Sequence, residues 1–207
     1  MNSTLIYAHD PMCSWCWGFS GVYRTLLEKL PAELKVERLL GGLAVDSDVD
    51  MPESMQAMLQ QTWQRIEQMI PGVQFNFDFW SQCKPRRSTY PACRAVIAAR
   101  EQGDQYDLIM TQQIQQAYYQ QARNPSDNQT LIELAGEIGL DADRFSSQLL
   151  APRTQERLLE EINRARSKGI DSFPGLVLEH NGQQHHILTN YTEVDPILGQ
   201  IESRLET

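Results

Sequence analysis

The amino-acid sequence predicts an α/β fold in which a βαβ unit, an inserted all-helical block and a ββα unit follow one another and build a mixed four-stranded sheet. Two observations predict it: β-prone runs occur near both ends of the chain, and the long stretch between them has mostly helical periodicity. Since no linker rich in Pro, Gly or Ser separates the parts, we expect residues 1–44 and 166–207 to form one discontinuous domain around an insertion at residues 45–165.

The first part of the chain reads as strand, helix, strand. Thr4–His9 is β-prone and ends at Asp10-Pro11, which predicts a buried strand followed by a turn. Lys35–Leu40 alternates as a second strand would, and Pro31 ends the helix between them. That helix is predicted from apolar residues at three- and four-residue intervals, namely Phe19, Val22, Tyr23, Leu26, Leu27 and Leu30. This order predicts a right-handed crossover between parallel strands.

The middle of the chain is predicted to be a series of helices, because apolar residues recur with helical spacing and cap residues divide the segments. The predicted helices run from near Met51 to before Pro71, from a cap at Ser88 or Thr89 to Arg100, from Asp107 to Gln121, from a cap at Asp127 to before Gly139, from Asp141 to Leu150, and from Thr154 to before Gly169.

Strand character returns at the end of the chain. Gly175–Glu179 and Gln184–Leu188 flank a connection that contains Asn181-Gly182, and Asn-Gly is the strongest short hairpin signal. Asp195-Pro196 then opens a final helix in a cap-plus-proline pattern.

Composition excludes several classes of function. The chain has 18 basic and 27 acidic residues, a formal charge of -9, which argues against nucleic-acid binding. No apolar stretch approaches the roughly 20 residues that cross a bilayer, so we expect no membrane association. The N-terminal segment resembles no secretory signal, and we expect a cytoplasmic protein. No feature of the sequence indicates an oligomeric state.

The sharpest motif is the pair Cys13 and Cys16, separated by Ser14-Trp15, between the first predicted strand and helix. Unpaired amides and the positive end of the helix dipole favour a thiolate at Cys13. Cys16 lies one turn further on, where it should be more buried and able to resolve a mixed disulfide formed at Cys13. The placement predicts dithiol–disulfide chemistry.

Two other interpretations compete for this pair. A zinc site would need two further soft ligands, and Cys83 and Cys93 have unsuitable spacing with prolines in between, so we expect no metal. The alternative is a structural pair without chemistry. We interpret Cys93 as a small core residue and Cys83 as a loop residue, and a secondary disulfide between them stays open.

A proline precedes the third predicted strand, in Ser172-Phe173-Pro174-Gly175. It cannot donate a ladder hydrogen bond, and from the residues alone an ordinary trans proline is the simpler interpretation.

Resemblance to a known family changes that interpretation. Asp10–Gly18 and Gly169–Val177 resemble the active-site and cis-proline segments of the DsbA-like branch of the thioredoxin superfamily, and Asn128–Gln148 is also similar. Within the branch, the chain most resembles FrnE-like cytosolic proteins, often described as protein disulfide isomerases. The resemblance implies a thioredoxin-like fold with a helical insertion and thiol–disulfide oxidoreductase activity.

The same resemblance implies roles for matching positions. Cys13 matches the nucleophile, Cys16 the resolving thiol and Pro174 the cis-proline, while Phe173 would offer backbone groups to a substrate chain that docks as an extra strand. From the residues themselves, Trp15 is a candidate for apolar substrate contact. His9 is a candidate thiolate modulator, although a satisfied histidine at the strand end is the simpler interpretation.

Other activities of the branch remain as alternatives. Kappa-class glutathione transferases and hydroxychromene-carboxylate isomerases resemble this chain in fold but typically have serine at the position of Cys13. A non-catalytic client-binding or holdase module is the second alternative. For the leading interpretation we expect protein or small-molecule thiols and disulfides as partners, no cofactor, and glutathione as a candidate redox partner. Ser14-Trp15 departs from many relatives, so the direction of exchange depends on a potential that the resemblance does not carry over.

Overall fold

The computed structural model describes residues 3–206, and in them it contains a mixed four-stranded sheet and nine helices. The strands are β1 Thr4–His9, β2 Lys35–Leu40, β3 Gly175–His180 and β4 Gln183–Ile187. The helices are α1 Ser14–Lys29, α2 Glu53–Met69, α3 Phe79–Gln82, α4 Tyr90–Arg100, α5 Tyr106–Tyr119, α6 Asn128–Glu137, α7 Ala142–Leu149, α8 Pro152–Ser167 and α9 Asp195–Leu205. The chain divides into two compact units, one up to Gly41 and again from Glu161, the other from Gly42 to Glu160.

The sheet has the strand order β2-β1-β3-β4. β1 and β2 are parallel, with Thr4 opposite Lys35 and His9 opposite Leu40, whereas β3 is antiparallel to both β1 and β4. The predicted mixed sheet with a parallel crossover is therefore confirmed.

The β3–β4 hairpin is tighter than predicted. Asn181 and Gly182 alone form the turn, with φ of 49° and 78°, and His180 pairs with Gln183. A two-residue turn of this kind needs positive φ at both positions, which Asn and Gly adopt at little cost. Both strands consequently gain a residue at the turn.

Alternating side chains bury both faces of the sheet. On one face, Leu5, Tyr7, Leu176 and Leu178 pack with residues of α1 and α9, namely Phe19, Tyr23, Leu26, Ile197 and Ile201. On the other face, Ile6, Ala8, Leu39 and Val177 pack with Ala165, Ile170 and Phe173. At the end of the edge strand β2, the Leu40 amide donates to the carboxylate of Glu161 at 2.8 Å.

The helical unit is built around α4, which is buried over most of its length and packs against α5, α6 and α7. Several helix ends differ from the prediction by one or two residues, and two of the differences have a local reason. α8 begins at Pro152 rather than Thr154, because proline suits the first helical turn and the Thr154 hydroxyl donates instead to the Gln148 carbonyl. The four-residue α3 was not predicted, because so short a helix has no periodicity to detect.

No helix formed by residues 3–206 combines the length and the apolar composition needed to cross a membrane.

Gly41 lets the chain pass close to Phe173. A Cβ placed on Gly41 would overlap the Phe173 ring, whereas one on Gly21 in α1 would meet nothing within 4 Å. The absence of a side chain at residue 41 therefore leaves room for the Phe173 ring.

We predict that Gly41→Ala destabilises the fold by about 1–3 kcal/mol, the usual cost of overpacking. Gly21→Ala is the matched control and should be neutral or stabilising by up to about 1 kcal/mol, because alanine is the better helix former. Urea unfolding monitored by circular dichroism measures both. Equal stability of the two variants would contradict the packing described here.

Candidate active site

Asp10 directly follows β1 and begins the turn that leads into α1. Its side chain is fully buried, and its Oδ1 accepts the Met12 amide at 2.8 Å. The Asp10 carbonyl accepts the Cys13 amide at 3.0 Å. This tight turn places Cys13 directly at the start of the helix.

Cys13 is the N-cap of α1. Its backbone is extended, with φ of -82° and ψ of 115°, and its Sγ accepts the Cys16 amide at 3.4 Å. The Cys13 carbonyl accepts the Trp17 amide, the first bond of the helix. A sulfur thus occupies the N-cap position, where the side-chain oxygen of Ser, Thr or Asp usually accepts a hydrogen bond from a helix amide. The predicted placement of Cys13 against the unpaired amides of the first turn is what the structure has.

Cys16 lies behind Cys13 on the buried side of α1. It is 0% exposed, against 7% for Cys13, and it shares the sheet-facing row of the helix with Phe19 and Tyr23. Burial raises the pKa of the Cys16 thiol, and the hydrogen bond and charge of Cys13 raise it further. Both cysteines are free thiols. Both cysteines are therefore buried, and Cys13 is the less buried of the two.

The segment before β3 faces this pair. β1 and β3 are antiparallel with Ala8 opposite Gly175, so the residues just before β3 lie beside those just after β1. The bond between Phe173 and Pro174 is cis, as the resemblance implied. The Cys13 thiol donates to the Phe173 carbonyl at 3.4 Å. The Phe173 ring points elsewhere, into the apolar layer next to Gly41.

Trp15 is half-buried and rests against a residue that the sequence analysis missed. Its ring meets Tyr191 edge-on, with centroids 5.1 Å apart, and Tyr191 also contacts Phe19 at 5.9 Å. Burial raises the pKa of Tyr191, and a hydrogen bond with Thr189 partly offsets this. Tyr191 lies in the loop after β4, and nothing in its local sequence indicated that this loop reaches the active-site helix.

His9 is buried at the end of β1. Its Nε2 lies 3.0 Å from a terminal nitrogen of Arg38. Arginine can only donate, so His9 accepts through Nε2 and has its proton on Nδ1. The positive charge of this pair is consequently on Arg38, which the sequence analysis did not single out.

The remaining cysteines belong to the helical unit. Cys93 is fully buried in α4. Cys83 is half-buried and donates to the Ala122 carbonyl at 3.0 Å. Burial and the charge of Asp127 raise the pKa of Cys83.

The hairpin histidines are not gathered into a metal site. His180 contacts the Ser3 hydroxyl and the Asn181 amide, each at 2.8 Å. Across residues 3–206, no three His, Cys, Asp or Glu side chains are grouped so that they could hold a metal ion.

Solved structures with the same fold cover nearly the whole chain. A candidate protein disulfide isomerase from Nitrosomonas europaea is 26% identical, with a TM-score of 0.86 over 100% of this chain and 98% of that one. The cytosolic disulfide reductase DsbM from Pseudomonas aeruginosa is 24% identical, with a TM-score of 0.80 over 98% of each chain. A second structure of DsbM, at 23% identity, contains glutathione.

Curated relatives are more distant and longer. The ClpXP adapter protein SpxH of Bacillus subtilis is 23% identical over 141 residues, which are 68% of this chain and 46% of that protein. The SpxH protein of Shouchella clausii is 21% identical over 177 residues. This chain spans about half the length of these relatives, 46% and 57% respectively.

The family model described as DSBA-like thioredoxin domain matches residues 4–197, which include both cysteines, the cis-proline and all four strands. The chain therefore belongs to the DSBA-like thioredoxin domain family.

Proposed function

We propose that this chain is a thiol–disulfide oxidoreductase that acts through Cys13 as nucleophile and Cys16 as resolving thiol. One observation carries the proposal: the Cys13 sulfur caps α1 and is bonded to the amide of the fully buried Cys16. The Cys13 sulfur therefore lies at the end of α1 that carries the positive pole of the helix dipole. Burial raises the pKa of the inner sulfur, Cys16.

The exchange has two balanced steps. The Cys13 thiolate attacks one sulfur of a substrate disulfide, and the other substrate sulfur leaves as a thiolate and takes up a proton. Cys16 then loses its proton and attacks the Cys13 sulfur, which releases the second substrate thiol. Two electrons pass to the substrate, and the chain is left with a Cys13–Cys16 disulfide. The reverse sequence oxidises a dithiol substrate.

The substrate is proposed to bind along Phe173 and Pro174. Pro174 has no N–H, so it cannot donate a hydrogen bond to a bound chain. The Phe173 carbonyl oxygen lies 3.4 Å from the Cys13 sulfur. An extended chain that pairs with the Phe173 backbone would bring its disulfide next to the Cys13 sulfur. The half-buried Trp15 ring offers an apolar contact beside it.

Descriptions of the related structures support two further parts of the proposal. DsbM is named as a cytosolic disulfide reductase, and one of its structures contains glutathione. They support glutathione as a small-thiol partner of this chain and the cytoplasm as its location.

A second candidate function rests on the SpxH relatives, which are named as ClpXP adapters. An adapter or holdase binds a client protein and needs no electron transfer. Under this alternative, the fold would be used as a binding module, and the two cysteines would be dispensable for client binding.

Replacing one cysteine at a time tests the leading proposal. We predict that Cys16→Ser, mixed with oxidised glutathione, accumulates a mixed disulfide at Cys13, because no thiol remains to resolve it. Cys13→Ser should form no such adduct at Cys16, which is fully buried. Mass spectrometry detects the adducts, and reduction of a model peptide disulfide measures turnover. Cys83→Ser, in the helical unit, is the matched control and should turn over like the parent protein.

Three results separate the alternatives. Loss of turnover in both active-site variants supports disulfide exchange. Full activity of Cys16→Ser with an aromatic glutathione-acceptor substrate would instead identify a transferase or isomerase. Client binding that is unchanged when both cysteines are replaced, together with no turnover in the parent protein, would identify an adapter.

Alkylation rates test the difference between the two sulfurs. We predict that iodoacetamide at pH 7 modifies Cys13 faster than Cys83 and much faster than Cys16. The raised pKa keeps Cys16 as a thiol, so its rate should rise only as the pH passes above the free-cysteine value of about 8.5. Peptide mass spectrometry follows each site. Equal rates at Cys13 and Cys16 would refute the assigned roles.

A further inference from the structure

The loop between β4 and α9 brings Tyr191 to the active-site helix. α9 packs on the face of the sheet that α1 covers, so the residues that lead into α9 pass next to α1. The Tyr191 ring contacts two residues of α1. Trp15 lies at a centroid distance of 5.1 Å with 60° between the rings, and Phe19 lies at 5.9 Å with 74° between the rings. Both contacts have the edge-to-face geometry that aromatic rings prefer.

Hydrogen bonds hold the loop that contains Tyr191. The Leu188 amide donates to the side-chain oxygen of Gln200 in α9 at 2.8 Å, and the Gln200 side-chain nitrogen donates to the Leu188 carbonyl at 3.1 Å. The side-chain oxygen of Asn190 accepts the Glu193 amide at 2.9 Å, which closes a turn around Tyr191. The backbone that carries the ring is therefore bonded to α9 on one side and to its own turn on the other.

Tyr191 joins Trp15 to the core of the sheet. Trp15 and Phe19 are four residues apart, so they are neighbours on one side of α1. Phe19 is 0% exposed and belongs to the core, whereas Trp15, two residues after Cys13, is half-buried. Tyr191 contacts both rings and so limits the positions that the Trp15 side chain can take. A side chain that is already held in place loses little conformational freedom when a substrate packs against it.

We propose that Tyr191 is a positioning residue that holds the Trp15 ring as an apolar contact for the residue next to the substrate cysteine. The substrates that it favours are polypeptide disulfides with an aromatic or branched aliphatic side chain at that position. Glutathione, in which glycine follows the cysteine, gains nothing from this contact. The inference rests on the proposed function, because it assumes that the substrate disulfide is attacked at Cys13.

The test measures the reduction of two peptide disulfides that differ at one position. Each is a short uncharged peptide joined to a second copy of itself through its single cysteine, and the residue after the cysteine is leucine in one peptide and serine in the other. The reduced protein is mixed with excess peptide, and the first turnover gives two peptide thiols and the Cys13–Cys16 disulfide, so no further reductant is needed. Acid quenching and mass measurement at several peptide concentrations give the half-saturating concentration and the maximal rate separately.

The parent protein should reach half-saturation at a severalfold lower concentration of the leucine peptide than of the serine peptide. Tyr191→Ala should raise the value for the leucine peptide roughly threefold to tenfold, the size expected for a lost edge-to-face contact, and change that for the serine peptide by less than about twofold. Tyr191→Phe keeps the ring and should keep the preference of the parent. Glu193→Ala is the matched control, because Glu193 is exposed in the same loop and bonds to Asn190 through its backbone amide.

Removal of Trp15 shows whether Tyr191 acts through it. In a Trp15→Ala protein, the further change Tyr191→Ala should leave the ratio of the two half-saturating concentrations unaltered, because the side chain that Tyr191 positions is gone. If Tyr191→Ala does not fold, Tyr191→Leu replaces it, since leucine fills part of the space without a ring. Circular dichroism checks the fold of each variant.

The outcomes are distinct. Equal half-saturating concentrations of the leucine peptide for the parent and Tyr191→Ala would overturn the role of Tyr191, and so would an undiminished effect of Tyr191→Ala in the Trp15→Ala protein. An equal loss with both peptides, or a fall in the maximal rate alone, would make Tyr191 a structural residue and overturn the inference. If the parent reduced both peptides equally well, the inference alone would fail. If it reduced neither, the proposed function would fail and the inference with it.

Discussion

The hydrogen bond from the Cys16 amide to the Cys13 sulfur is the interaction on which the rest of the site depends. It makes one side chain both the cap of α1 and the outer sulfur of the pair. The first amides of a helix have no hydrogen-bond partner within the helix. Here the Cys13 sulfur accepts a hydrogen bond from one of them, the Cys16 amide. Forming the first turn of α1 therefore also positions the Cys13 sulfur, and the buried turn at Asp10 sets where α1 begins.

The topology of the sheet brings the other parts of the site to this point. β1 and β2 run in parallel, so the residues that follow β1 and Gly41, which follows β2, lie at the same end of the sheet. β3 runs in the opposite direction, so the residues that precede it, Phe173 and Pro174, lie at that end as well. Three separate stretches of chain therefore meet around Cys13. Because Gly41 has no side chain, the Phe173 ring can pack there while its carbonyl faces the sulfur.

Local signals were sufficient for most of the fold. β1 and β2 have the predicted bounds, because each is a short β-prone run between turn or helix-ending residues. The position of Cys13 at the start of α1 could be predicted because strand, CxxC and helix are consecutive in the chain. The cis state of Pro174 required the family resemblance, since the local sequence is equally compatible with a trans bond. Arg38 and Tyr191 were missed for a physical reason: strand pairing and a returning loop bring them to α1, and neither is encoded in local spacing. For His9 the sequence favoured a satisfied histidine at the strand end, and strand pairing supplies its partner, because a terminal nitrogen of Arg38 lies 3.0 Å from its Nε2.

The assigned roles require that the sulfurs of Cys13 and Cys16 form a disulfide with each other. The most direct measurement is to treat the reduced protein with oxidised glutathione, block the remaining thiols, digest it and map every cysteine by mass spectrometry. The account predicts a Cys13–Cys16 disulfide, with Cys93 recovered as a free thiol because it is fully buried in α4. A stable glutathione adduct at Cys13 beside an unreacted Cys16 would contradict it.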